Sequence, residues 1–303
     1  MIYNNIMINE PLSEQVRNPT THMAVSDSVQ TPTHEYWRPP RDCWVRLNRC
    51  NIPSSVIACL DFQERPLPLE LDGVMIPHRD LFRRLERLDT LEARAAQFKD
   101  YMTVHFQLDA PEKAGFDLRS RVRRDKADYL SLLRGWLFNP DGREGAVMKG
   151  WVASRFGLLP RYFGGRVAPD SEGYQRFLAE QGAGVYNANA LESQLDLLYT
   201  FCQYALLKED PEARWLTLYR GVNRLESHDI VARLDRNRVV VLLNNLNSFT
   251  PNRERADEFG DRILKMRAPR VKVLFYSSLL PGVLKGEEEY LVIGGLHEVA
   301  LSG

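Results

Sequence analysis

The chain has 303 residues, 44% of them hydrophobic and 26% charged, with 40 Lys plus Arg balancing 40 Asp plus Glu. At roughly 150 residues per domain this makes one large or two modest domains, and ordinary globular usage excludes a disordered, collagen-like or coiled-coil chain. Zero net charge removes any bulk attraction to nucleic acid or an anionic membrane.

The first residues, MIYNNIMINEPLSEQ, lack a basic segment followed by an apolar stretch, so a cytoplasmic address is expected rather than a secretory one. Residues 1–36 carry Pro11, Pro19 and Pro32 among polar residues and read as a flexible polar tail. Folding is expected to begin at Tyr36, Trp37, Pro39 and Pro40. Cys43, Cys50, Cys59 and Cys202 form no CxxC pair and read as reduced, mostly buried thiols, and the six histidines stand singly, so no bound metal is expected.

Residues 37–210 read as a mainly helical portion. Leu81, Leu85 and Leu88 fall at helical spacing, and Asp89 with Glu92 makes a capping box before Leu91, Ala95, Phe98 and Met102. Leu130, Leu133, Trp136 and Leu137 predict a third helix, and Leu191, Leu195, Leu198, Cys202 and Ala205 a fourth. These stripes read as core. Between them Arg119, Arg121, Arg123, Arg124 and Lys126 form a basic run, either a solvated segment or a surface for phosphates or an acidic protein face. Gly182-Ala183-Gly184-Val185 follows no convincing strand and does not continue as GxGxxG.

After Pro211 the chain becomes strand-rich, with runs at 215–219, 239–243, 271–276, 289–293 and 297–301. Val239 to Leu243 is the longest aliphatic run, far below the roughly 20 residues that cross a bilayer. A short helix over 253–259 is predicted, with Thr250 as cap and Pro251 in its first turn. Helices followed by strands make an α+β order.

Three short segments here carry chemistry. Tyr219-Arg220-Gly221 ends a strand with an arginine beside a glycine, which offers a bidentate fork to phosphate, or else an ordinary salt bridge. Ser248-Phe249-Thr250 lies at the edge of a strand before the short helix, where Ser248 also fits a turn or cap. In a strand, Glu287 and Glu289 share one face about 7 Å apart, a paired-acid site or a solvated polar face.

Taken in this order and on strands, YRG, SFT and ExE, with RERADEF after SFT, resemble the arginine-serine-glutamate clade of mono-ADP-ribosyltransferases. Residues 51–74 and 138–165 sharpen the match to the dinitrogenase reductase ADP-ribosyltransferases of nitrogen-fixing bacteria, from about residue 37 to the C-terminus. The resemblance implies an α+β, ADP-ribosyltransferase-like fold: two packed β-sheets around an NAD cleft, with 211–303 as the catalytic core. It implies transfer of ADP-ribose from NAD to an arginine of the nitrogenase iron protein, which switches nitrogen fixation off, with a PII signal protein as regulator.

By the same resemblance Arg220 grips the NAD phosphates, flanked by Tyr219 and Gly221. Glu289 bonds the ribose and stabilises its developing charge, Ser248 orients Glu289, and Glu287 deprotonates the acceptor arginine. Where many relatives read Ser-Thr-Ser, this chain has Phe249, which is core or stacks on nicotinamide; Thr250 is kept as a cap. Nicotinamide leaves neutral, so the chemistry needs no metal. Three other functions fit parts of the sequence: a transferase modifying a different protein, a non-catalytic NAD-sensing regulator, and a nucleic-acid binder through Arg119 to Lys126. Zero net charge counts against the last, and the intact Arg220, Ser248, Glu287 and Glu289 count against the second.

Overall fold

A computed structural model describes residues 38–109, 128–167, 172–185, 190–223, 229–284 and 288–302. The polar tail, the basic run Arg119 to Lys126 and Glu287 lie outside the described residues. The first part is helical: α1 (Ser54–Ile57), α2 (Asp61–Glu64), α3 (Arg79–Leu85), α4 (Leu91–His105), α5 (Tyr129–Phe138) and α6 (Arg143–Phe156). A two-stranded hairpin of β1 (Arg161–Tyr162) and β2 (Gly165–Arg166) precedes α7 (Glu172–Val185) and α8 (Leu191–Glu209). Strands follow: β3 (Trp215–Val222), β4 (Asp229–Arg233) and β5 (Arg238–Phe249), then α9 (Arg253–Asp257), β6 (Arg262–Pro269), β7 (Val273–Tyr276) and β8 (Tyr290–Ser302).

The helical stripes are core as expected. Leu195, Leu198 and Cys202 of α8 are fully buried against Phe98 and Met102 of α4 and Leu133 of α5, in one cluster that also takes in Phe275, Tyr276, Leu291 and Ile293. Burying each large apolar side chain contributes roughly 1.5–3 kcal/mol. Two helix starts differ from expectation. Leu91 is the first helical residue of α4, so the cap falls on Thr90, whose Oγ1 accepts from the Ala93 N–H at 3.2 Å, and not on Asp89. Likewise α9 is capped by Asn252, whose Oδ1 accepts from the N–H groups of Glu254 and Arg255; Pro251 lies outside the helix, and Thr250 Oγ1 accepts from Asn252 N instead. Helix α3 stops at Leu85, leaving Leu88 half-buried beyond its end.

Six strands form one antiparallel sheet in the order β3-β6-β8-β5-β4, with β7 added on β8. The runs 289–293 and 297–301, expected as separate strands, are one 13-residue strand from Tyr290, and 239–243 extends to Phe249. Asn244 and Asn245 bulge out of β5 opposite Gly294 of β8, where a side chain would place a Cβ 1.7 Å from Asn244 O. Gly295 follows with φ +110°, a conformation glycine adopts without strain. Two long strands are thereby bent but unbroken, and β8 pairs with β7 before this point and with β6 after it. The resemblance implied two packed sheets; the structure has this six-stranded sheet and the separate two-stranded β1-β2 hairpin. The sheet curls so that Tyr219 of β3 bridges Thr250 at the end of β5, enclosing Leu218, Val241, Phe249, Met266 and Val292.

Beside the bend, Lys272 is fully buried, its Nζ donating to Gly294 O at 2.8 Å and lying 3.5 Å from His297 Nε2. Burial lowers the Lys272 ammonium to about 7, with the charge of an ionised Cys59 acting in the opposite direction, and pushes His297 well below its usual value. The unfolded chain holds the Lys272 proton up to about pH 10.4, so between pH 7 and that value it binds more protons than the fold, and stability rises with pH. Urea denaturation of Lys272→Met is expected to remove about 1 kcal/mol per pH unit of this slope above pH 7; equal slopes in variant and parent would contradict the assignment.

Candidate active site

The strand pairings gather the sequence-predicted residues. Tyr219 N donates to Thr250 O at 2.7 Å and Thr250 N returns to Tyr219 O at 2.8 Å, which draws the YRG strand end against SFT. Ser248 and Phe249 pair with Leu291 and Tyr290 of β8, so Glu289 lies just before that strand, beside the same corner. Its main chain is pinned: Ser277 N donates to Glu289 O at 2.9 Å, and Glu289 N donates to Ser277 Oγ at 3.2 Å. Tyr290 stacks on Tyr276 with ring centroids 5.4 Å apart.

Arg220 is half-buried, its Nη1 donating to Ser248 O at 2.7 Å, while its buried Nε has no partner. Burial pulls the guanidinium below its ordinary value, and the Glu289 carboxylate opposes this. Gly221 is there because nothing larger fits: a Cβ would lie 2.0 Å from Ala256 O of α9 and 3.0 Å from Gly260 N. Phe249 is only 3% exposed and packs in the sheet core with Leu218 and Val292, although it also borders the cleft.

Arg220, Tyr219, Gly221, Ser248, Phe249 and Glu289 line one cleft of about 540 Å³, within the range of small-molecule and cofactor sites. Sequence reading missed the residues that the helical portion brings to the cleft. Trp136 of α5, assigned to a core stripe, lines the cleft and donates through Nε1 to Ser248 Oγ at 2.9 Å. Lys149 of α6, 2% exposed, is ion-paired with Asp141, and both line the cleft; burial lowers the Lys149 ammonium while Asp141 supports its charge. Arg161, Asn244, Arg255 and the exposed Glu288 also line it. A hint to Lys149 lay in α6 itself, where a lysine falls in a run buried from Gly145 to Val152.

Residues 47–301 match the model of the family described as dinitrogenase reductase ADP-ribosyltransferase. The chain belongs to this family. The NAD(+)--dinitrogen-reductase ADP-D-ribosyltransferase of Rhodospirillum rubrum is 40% identical over 262 residues, covering 84% of this chain and 94% of that relative. No solved structure matches the chain. Among the described residues no group of three or more His, Cys, Asp or Glu is arranged to hold a metal ion, and no helix is long and apolar enough to cross a membrane. For a member of this family the unpartnered Arg220 Nε is the informative atom: it is a buried donor facing a shortage of acceptors, which an anionic oxygen would relieve.

The close approach of β3 and α9 gives a structural test of the corner. Gly221→Ala is expected to cost about 1–3 kcal/mol through the clash with Ala256 O. Chemical denaturation measures it, and a midpoint equal to the parent would mean that the corner is looser than described.

Proposed function

We propose that the protein transfers ADP-ribose from NAD to an arginine of dinitrogenase reductase, on an ADP-ribosyltransferase-like fold with NAD bound in the 540 Å³ cleft. The observation that carries this reading is the convergence of Arg220, Ser248 and Glu289 on one cleft in a chain of this family. The relative's name supplies the donor and the acceptor protein. The convergence on one cleft favours an enzyme over a non-catalytic sensor. A PII signal protein as regulator and a cytoplasmic location belong to the same reading.

Arg220 takes the NAD phosphates through its planar fork, since Nη1 is committed to Ser248 O and Nε is left to donate. Breaking the nicotinamide–ribose bond spreads positive charge over the ribose ring, as in glycoside cleavage. Glu289, fixed by Ser277 and directed by Ser248, supplies the opposing carboxylate in a half-buried site where water screens it little. Nicotinamide departs neutral, so no proton has to be delivered to it. The acceptor is harder, because a guanidinium is protonated up to pH values above about 12 and a protonated nitrogen does not attack. In this reading Glu287 accepts that proton as the new nitrogen–ribose bond forms.

Incubating the protein with NAD and dinitrogenase reductase, followed by mass spectrometry, tests the reading: one ADP-ribose is expected on an arginine of the acceptor, and unmodified acceptor would refute it. Arg220→Lys is expected to weaken NAD binding about tenfold or more with the fold retained, because an ammonium is a point charge where a fork is needed; an unchanged Kd in titration calorimetry would take Arg220 out of the site. Glu289→Gln is expected to abolish transfer and NAD hydrolysis together, whereas Glu287→Gln abolishes transfer and leaves hydrolysis, since water needs no guanidinium deprotonation. With circular dichroism first establishing folded variants, parental transfer by Glu287→Gln or brisk NAD cleavage by Glu289→Gln would undo the two roles.

A further inference from the structure

A serine hydroxyl has one proton and two lone pairs, and an indole N–H can only donate. The 2.9 Å bond from Trp136 Nε1 therefore occupies a lone pair of Ser248 Oγ and leaves its proton to be donated in another direction. Ser248 pairs with Leu291, two residues beyond Glu289, and Ser248, Glu289 and Trp136 line the same cleft.

We propose that Trp136 is a positioning residue for the transfer: it holds Ser248 as a hydrogen-bond donor toward the Glu289 carboxylate, so that this carboxylate is aimed when charge develops on the ribose. The proposal rests on the roles given above to Ser248 and Glu289.

Trp136 is built to hold one orientation. It is 2% exposed, on a helix whose neighbouring Leu132 and Leu133 are buried and whose start is fixed by a capping box between Asp128 and Ser131. Gln194 of α8 accepts from Tyr129 N at 3.0 Å, which ties α5 to the helical core. Lys149 Nζ lies 5.9 Å from the indole centroid, so the ring is flanked by charge and packing. Side chains locked in this way can keep a functional group in register. A purely structural role, in which Ser248 only satisfies a buried indole N–H, predicts lost stability with an unchanged turnover.

The test compares the parent with Trp136→Phe, Ser248→Ala and the double variant, using full-length protein, NAD and dinitrogenase reductase, with transfer and NAD hydrolysis both followed. Trp136→Phe, which removes the indole donor while keeping an aromatic ring, is expected to lower kcat about tenfold while KM for NAD stays within about twofold, because the bond matters as charge develops. In the Ser248→Ala background the same change should cost nothing further, since its target is gone. A kcat for folded Trp136→Phe within about twofold of the parent, or losses that multiply in the double variant, would overturn the proposal. Ser248→Ala at the parental rate would instead remove the reading of Ser248 itself, and this proposal with it. If Trp136→Phe does not fold, NMR carries the test: one of the five indole N–H resonances should move in Ser248→Ala, and five unmoved resonances would refute the contact.

Discussion

The geometry of the cleft depends on the pairing of β5 with β8 across a bulge. The ladder runs from Arg238 opposite Ala300 to Phe249 opposite Tyr290, interrupted only where Asn244 and Asn245 face Gly294. Because side chains alternate strictly along a strand, a slip of one residue would reverse the facing of Ser248 and of everything after it. The bulge sets that register. It requires glycine at 294, and the freed Asn245 side chain donates to Lys149 O and Leu158 O, locking the end of α6 against the sheet. The same irregularity that bends the sheet therefore fixes the helical wall of the cleft.

Electrostatically the cleft holds its charges at a cost that a ligand can reverse. Arg220 and Lys149 are both drawn toward their neutral forms by burial, and Arg220 is also among the groups that lower Lys149. Asp141 and Glu289 offset this in part, one for each cation. In the proposed reading the orphaned Nε of Arg220 takes its acceptor from a phosphate oxygen of NAD.

The two portions of the chain make the site jointly. The strand-rich portion contributes Arg220, Ser248 and Glu289, and the helical portion contributes Trp136, Lys149 and, from the turn between α5 and α6, Asp141. Packing also runs across the boundary: Tyr199 of α8 donates to Val271 O at 2.8 Å, and Gln203 to Val273 O at 2.6 Å, so α8 braces the segment leading into β7. Since β7 and the turn after it hold Glu289 through Ser277, the helical core reaches the carboxylate as well as the serine.

Periodicity in the sequence determined the helices at 91–105, 129–138 and 191–209 and the strand character of the last third, because burial of one face writes itself into the spacing of apolar residues. The short triplets YRG, SFT and ExE were legible as chemistry only as an ordered set, through their resemblance to the ADP-ribosyltransferase clade, since each alone also fits a salt bridge, a cap or a solvated face. Caps shifted from Asp89 to Thr90 and from Thr250 to Asn252, since neighbouring polar residues compete for the same position and only the backbone chooses. Trp136 could not be read as a cleft residue, because a tryptophan in an apolar stripe carries no mark of what it faces, and Lys149, a lone charge in the largely apolar run of α6, hinted at a buried partner without identifying it. What each faces is set by contacts more than 90 residues apart in the chain, Trp136 to Ser248 and Lys149 to Asn245, and these exist only after the bulge in β5 has brought helices and sheet together.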